Sequence, residues 1–229
     1  MKLISLNRWF NQKKESVLLF DSIAAANEIA LMLDGEWDGC NGVVVANCDE
    51  IAVDTAAKLS EARWCYQGAE KAVLVQLKTD ELLRRYAIGE RIFINANLRC
   101  AQLASTKLSQ INLSYAQLTM AEVSQTDLTQ ANLAQADLTQ ANLRGVDLSQ
   151  AQLTGANLNQ ANLAQANLRG ANLVKANLTQ VNLTNADLTG ANLALADLTG
   201  VNFHSCNLSG VNLAGAKLIE TELAYAKQC

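Results

Sequence analysis

The chain has 229 residues, half of them hydrophobic and none of them proline, with 18 Lys and Arg against 22 Asp and Glu. A net charge of −4 is too mild for bulk electrostatic binding of nucleic acid. The length suffices for one ordinary domain and a smaller one, and few aromatics beside abundant Leu and Ala point to thin, repeated layers rather than one globular interior.

The first fourteen residues interleave Lys2, Arg8, Lys13 and Lys14 with Leu3, Ile4, Leu6, Trp9 and Phe10. They lack the continuous apolar stretch of a secretory signal. A basic amphipathic segment suits an anionic membrane surface, which makes a peripheral membrane adaptor one reading of the chain. The segment equally suits packing on its own domain. No apolar run of eighteen residues occurs, so no spanning helix is expected.

Residues 1–78 read as a small α/β or mainly helical domain. Ser16–Phe20 is a short strand in this reading, and Asp21 caps a helix over Ser22–Leu33 that stops at Asp34 and Gly35. Gly42–Ala46 suits a buried strand, Asp49–Trp64 a helix and Ala72–Leu77 a strand. Residues 79–95 form a cap and lead-in. Thr79 is the expected N-cap, Asp80 and Glu81 suit the first helical turn, and Gly89 ends the helix.

From Ala96 the chain falls into blocks of five that run without a slip to Tyr225, 26 blocks in all. The third position is Leu in 24 of them, with Val123 and Phe203 the exceptions, and the first is Ala in 17. Asn fills the second position in 14, and small or polar residues fill the last two. Five fits neither a helical face nor a plain strand. Within a block, positions one to three alternate as a strand does, and two turn-forming residues follow. One block cannot bury its own Leu, so successive turns must stack around a shared core, hydrogen-bonded at about 4.8 Å spacing.

This A(D/N)LXX pattern closely resembles the pentapeptide repeat family. The resemblance implies a mainly β fold, a right-handed quadrilateral β-helix with four blocks per coil, over 96–226. The stretch from Arg84-Arg85-Tyr86 to Gly89-Glu90-Arg91-Ile92-Phe93 is similar to the RRYxxGERxF lead-in of many bacterial members, and uninterrupted arrays with it are of a cyanobacterial type. At four blocks per coil the array makes about 6.5 coils, roughly 31 Å long. Phe93, Leu98, Leu118, Leu138, Leu158, Leu178, Leu198, Phe203 and Cys206 are then expected inside. Ile92 and Ile94 depart from the commoner polar residues and suggest contact with the upstream segment.

No catalytic constellation is visible. His204 is the one histidine and falls at an outward position, and the six cysteines, 40, 48, 65, 100, 206 and 229, show no CxxC. No metal site, cofactor or enzyme activity is therefore expected. Scattered thiols without a secretion signal fit a reducing, cytoplasmic compartment. The stacked acids Asp127, Asp147 and Asp187 lie on a wall with no pocket to shift a pKa.

What remains is docking. A rod with flat faces of Asn, Gln, Ser and Thr suits a non-catalytic scaffold, or a regulatory or assembly factor whose N-terminal domain holds a second partner. Exposed departures from that background are the contact candidates: Arg99, Tyr115 and Met120, then Arg144, Arg169 and Lys175, then Leu195, Ile219 and Tyr225. The family resemblance also implies a DNA-mimicking, gyrase-binding alternative. The repeats carry eight acids and six bases, net −2, where DNA of that length carries about −18. Past residue 225 the short tail leaves Leu218, Leu223 and Ala226 partly open, so a homodimer through the C-terminal coil is expected. No nucleic-acid partner is expected.

Overall fold

The computed structural model describes residues 15–20, 23–38, 42–46, 50–62, 64–67 and 77–218. The chain divides into two compact units, Met1–Val75 and Gln76–Cys229.

The first unit is an α/β layer. Strands β1 (Glu15–Phe20), β2 (Glu36–Trp37), β3 (Gly42–Ala46) and β4 (Trp64–Gln67) form one sheet in the order β2-β3-β1-β4. Neighbouring strands are antiparallel, with Leu18 opposite Val43 and Phe20 opposite Trp64. Helix α1 (Ile23–Met32) joins β1 to β2 past the intervening β3, and α2 (Glu50–Leu59) joins β3 to β4 past β1. Ala25, Ala26, Ile29 and Ala30 of α1 pack with Val53, Ala56 and Ala57 of α2 over Leu18, Phe20, Val43 and Val45. The alanines recur at helical spacing and are small enough to let the helices lie close to the sheet.

Two boundaries differ from the sequence expectation. Helix α2 stops at Leu59, and Trp64 begins a strand instead of ending the helix. The stop is a Schellman turn: Ala62 N–H donates to Ala57 O, Glu61 N–H donates to Lys58 O, and Glu61 itself has φ 52°. Glycine usually marks that left-handed position, and a glutamate gives no such signal. At the end of α1 the left-handed residue is Asp34 (φ 49°), and Gly35 serves a different need. A Cβ there would lie 2.9 Å from Val44 O, so only glycine lets the loop approach β3. The expected strand Ala72–Leu77 lies outside the described residues except for Leu77. The expected Asp21 cap and the segment 1–14 lie outside them entirely.

Helix α3 (Thr79–Ala87) opens the second unit. Its N-cap is Lys78, without a side-chain cap bond, rather than Thr79. Thr79 is drawn into the first turn because its Oγ1 accepts the Gln102 backbone N–H, 3.3 Å away. Gly89, at φ 100°, closes the helix with the same turn chemistry, Glu90 N–H donating to Arg85 O. Leu82 is fully buried on the first coil, Tyr86 Oη donates to Ser109 O at 2.9 Å, and Leu77 N–H donates to Asn97 O. The helix therefore covers apolar side chains and strand edges that an open solenoid end would expose.

Beyond α3 the backbone winds in coils of twenty residues. Parallel bridges join second positions twenty apart and define four sides. The first side runs from Asn97 to Lys217, the second from Gln102 to Asn202, the third from Lys107 to Asn207 and the fourth from Ile92 to Asn212.

The block 131–135 shows why five residues of this kind close a side. Asn132, Leu133 and Gln135 N–H donate to the coils before and after, at 2.7–3.0 Å. Ala131 N–H closes the preceding turn on Leu128 O, and Ala134 N–H donates to the Asn132 side-chain Oδ1. All five donors are satisfied. The second position must therefore carry an acceptor that reaches two residues ahead, as Asn and Asp do. The fifth position is left-handed whether it is Gln135 (φ 59°) or Gly155 (φ 66°). With the Leu133-to-Ala136 closure this is the arrangement of a type II turn.

Inside, Phe93, Leu98, Leu118, Leu138, Leu158, Leu178, Leu198, Phe203 and Cys206 are all buried. First positions that depart from Ala satisfy themselves. Thr126 Oγ1 donates to Leu103 O at 2.6 Å, and Cys206 Sγ, in the same column, donates to Leu183 O at 2.7 Å.

Candidate protein-docking faces of the solenoid

Each outward Asn is held by the backbone beneath it. Because a backbone N–H is a donor, the atom it meets must be the oxygen, and this fixes the amide orientation. Asn162 Oδ1 accepts from Ala164 N–H at 3.2 Å and from Asn182 Nδ2 at 3.4 Å, while Asn162 Nδ2 donates to Asn142 Oδ1 at 3.3 Å. Asn182 Oδ1 accepts from Thr184 N–H and Oγ1. Both oxygens are filled, and each amide keeps one N–H directed outward. A ladder of asparagines is thus a column of surplus donors spaced by about 4.8 Å. Shorter ladders of the same kind join Asn177 to Asn157 and Asn212 to Asn192, and glutamines at the turns form others, Gln140 to Gln160 to Gln180.

The acids are tied into these columns. Burial alone would raise the Asp147 carboxyl, but bonds from Ser149, Asn167 and Thr129 outweigh it and hold it below the usual range. Asp187 behaves likewise, with Thr189 and Arg169 as its partners. At Glu122 burial is again outweighed, by Ser124 and Asn142. Asp197 is lowered to about 2 by the Thr199 hydroxyl first, then Lys217 and the Thr199 N–H. Groups held ionised on a convex wall are poorly placed as general acids. Among the described residues no group of three His, Cys, Asp or Glu is assembled to hold a metal ion.

The contact candidates fall on different sides. Tyr115, Lys175 and Leu195 occupy one turn column beside the fourth side, whose own blocks from 91 to 215 contain no acidic residue. Tyr115 and Leu195 are 59% and 56% exposed, and Leu195 lies across Gly215. Arg169 is on the third side, paired with Asp187 at 2.9 Å. Met120 is half-buried on the first side. Arg99 is not exposed: it stands on the first full coil and is 3% accessible. The repeat pattern treats every fourth position as outward, and Arg99 departs from it. Ile219 and Tyr225 lie outside the described residues, as does most of the expected dimer contact beyond Leu218. Ile92 and Ile94 are exposed. Cys100 is disulfide-bonded, whereas Cys206 is a buried thiol, so the cysteines are not all in one state.

Arg144 is on the second side. Its Nε donates to Gln165 Oε1 at 3.2 Å, and no carboxylate pairs with it among the described residues. It borders an open trough of about 250 Å³ lined by Asn162, Ala164, Gln165, Asn182, Thr184 and Asn185. The trough exists because Ala164 follows Arg144 in the column of fourth positions, and a methyl group leaves the space a longer side chain would fill. Sequence reasoning picked out Arg144 by its charge but missed Ala164, Asn162 and Asn182, which look like any other repeat residue.

A family match covers the coils just described. The model for pentapeptide repeats matches residues 96–133, 121–160, 161–200 and 196–227, in eight copies. Among solved structures, HetL of the cyanobacterium Nostoc sp. strain PCC 7120 is 24% identical over 62% of this chain and 95% of its own, with a TM-score of 0.32. HetL is described as involved in the regulation of heterocyst differentiation. A second Nostoc pentapeptide repeat protein is 36% identical over 38% of this chain and 84% of its own, with a TM-score of 0.29. QnrB1, described as a plasmid-mediated fluoroquinolone resistance protein, is 19% identical over 60% of this chain and 84% of its own, with a TM-score of 0.27. No curated protein matches. With more than half of its length matched by that model and wound in twenty-residue coils, the chain belongs to the pentapeptide repeat family and its second unit is the family's right-handed β-helix.

Proposed function

We propose that the chain is a non-catalytic scaffold or regulatory factor that docks a protein partner on the sides of its solenoid. The observation that carries this reading is the division of labour within a block. Backbone donors and inward side chains are satisfied internally, so outward amides such as those of Asn162 and Asn182, with one N–H each to spare, can serve a partner. A DNA mimic fits less well. The repeats are net −2, and Arg169 and Lys217 neutralise Asp187 and Asp197 where they stand. Such a wall does not present the charge density of a duplex.

Affinity capture from the native lysate tests the proposal. The full chain is compared with full-length variants in which the outward second and fourth positions of one side are replaced. A partner lost on altering one side and kept on altering the others supports docking on the solenoid. A partner kept by every variant overturns it, and gyrase subunits lost on altering the acidic third side would put the mimic first.

A further inference from the structure

We propose that the Arg144 trough is a docking site for an acidic segment of a partner protein, with an Asp or Glu carboxylate seated between Arg144, Asn162 and Asn182. This rests on the scaffold reading and names the side and the chemistry of its partner. Three observations carry it. Arg144 commits only its Nε, to Gln165, which leaves two amino groups of the guanidinium facing the trough. Asn162 and Asn182 have filled oxygens and spare N–H donors, so the wall offers donors and calls for acceptors. No carboxylate lines the trough: Glu122, the acid of this side among the described residues, is engaged two coils from Asn162 by Asn142 and the Ser124 N–H.

Charge complementarity selects the occupant. A guanidinium beside amide donors is a strong match for a carboxylate, through charge-assisted hydrogen bonds in a fixed fork geometry. A nucleic acid would bring many phosphates to a rod of net −2 with one unpaired cation on this side, so repulsion would exceed the gain. The trough is open along the ladder rather than enclosed, which suits a chain laid across coils better than a small molecule held on all sides.

The test is a titration of the isotope-labelled full chain with the acetylated peptide Gly-Ser-Glu-Ala-Glu-Ser-Gly, followed by two-dimensional NMR. The control peptide carries Gln for both Glu. The Glu peptide is expected to move the Arg144 Nε–H and the side-chain amides of Asn162 and Asn182, with affinity falling at least tenfold in Arg144→Gln and unchanged in Lys107→Gln. Because Arg144 is exposed, an unaltered spectrum of the third side verifies that the variant is folded. Equal binding of both peptides, or an unchanged affinity in Arg144→Gln, overturns the trough. In the lysate experiment, a solenoid-dependent partner retained by Arg144→Gln removes the trough and leaves the scaffold reading standing. Absence of any solenoid-dependent partner removes the scaffold reading, and the trough with it as a functional site, even if the peptide binds.

Discussion

At residue scale the second position of each block decides whether the coil closes cleanly. Asn157 Nδ2 donates to Asp137 Oδ1 and to Thr139 Oγ1, so a donor faces an acceptor between these two coils. Asn157→Asp replaces a donor with a second carboxylate about 4.8 Å from the first. The urea midpoint should fall relative to wild type at neutral pH. Asp137→Asn should be nearly neutral. Inside, Leu158 is fully buried, and Leu158→Ala should cost about 2–5 kcal/mol in urea unfolding. The acids give a signed pH dependence. Asp197 is depressed to about 2, so its stabilising bonds are present above its ordinary value of 3.8 and are lost as pH falls from about 4 to about 2. Asp147, Asp187 and Glu122 are shifted in the same direction and add to the loss. Asp197→Asn should flatten the dependence of the urea midpoint on pH in that window.

The elements show how far the sequence could be read. The five-residue period and the inward leucines are legible because each rests on a pattern repeated block after block, whereas the twenty-residue coil is what the family resemblance implies. Where one residue carries the signal, reading failed. Glu61 ends α2 from a left-handed conformation that its side chain does not announce, so the helix was extended through Trp64. Arg99 looks like any charged fourth position, yet it is buried. The Arg144 trough depends on a gap made by an alanine, and alanine in an alanine-rich array is silent. Two substitutions test the elements that irregular residues hold in place. Gly35→Ala forces a Cβ to within 2.9 Å of Val44 O and should destabilise the first unit by about 1–3 kcal/mol, read in thermal melts. Tyr86→Phe removes the bond to Ser109 O that ties α3 to the first coil. It should cost about 1 kcal/mol and speed amide exchange over Thr79–Ala87 more than over the central coils.

For the whole molecule, the repeat separates what folds from what can recognise. The inward columns carry nearly the same residues from coil to coil, whereas the outward columns differ from side to side. The fourth side is free of acids, the third carries Asp127, Asp147 and Asp187, and the second sets Arg144 among amide donors. Function should therefore map to one side and span several coils. Hydroxyl-radical footprinting of the full chain in complex with its captured partner reads this directly, because it reports side-chain access. Docking on the second side predicts protection at Arg144 and at His204, which stands three coils further along the same column, with Tyr115, Lys175 and Leu195 unchanged. Protection confined to residues 15–67, with every side of the solenoid as accessible as in the free chain, would contradict it.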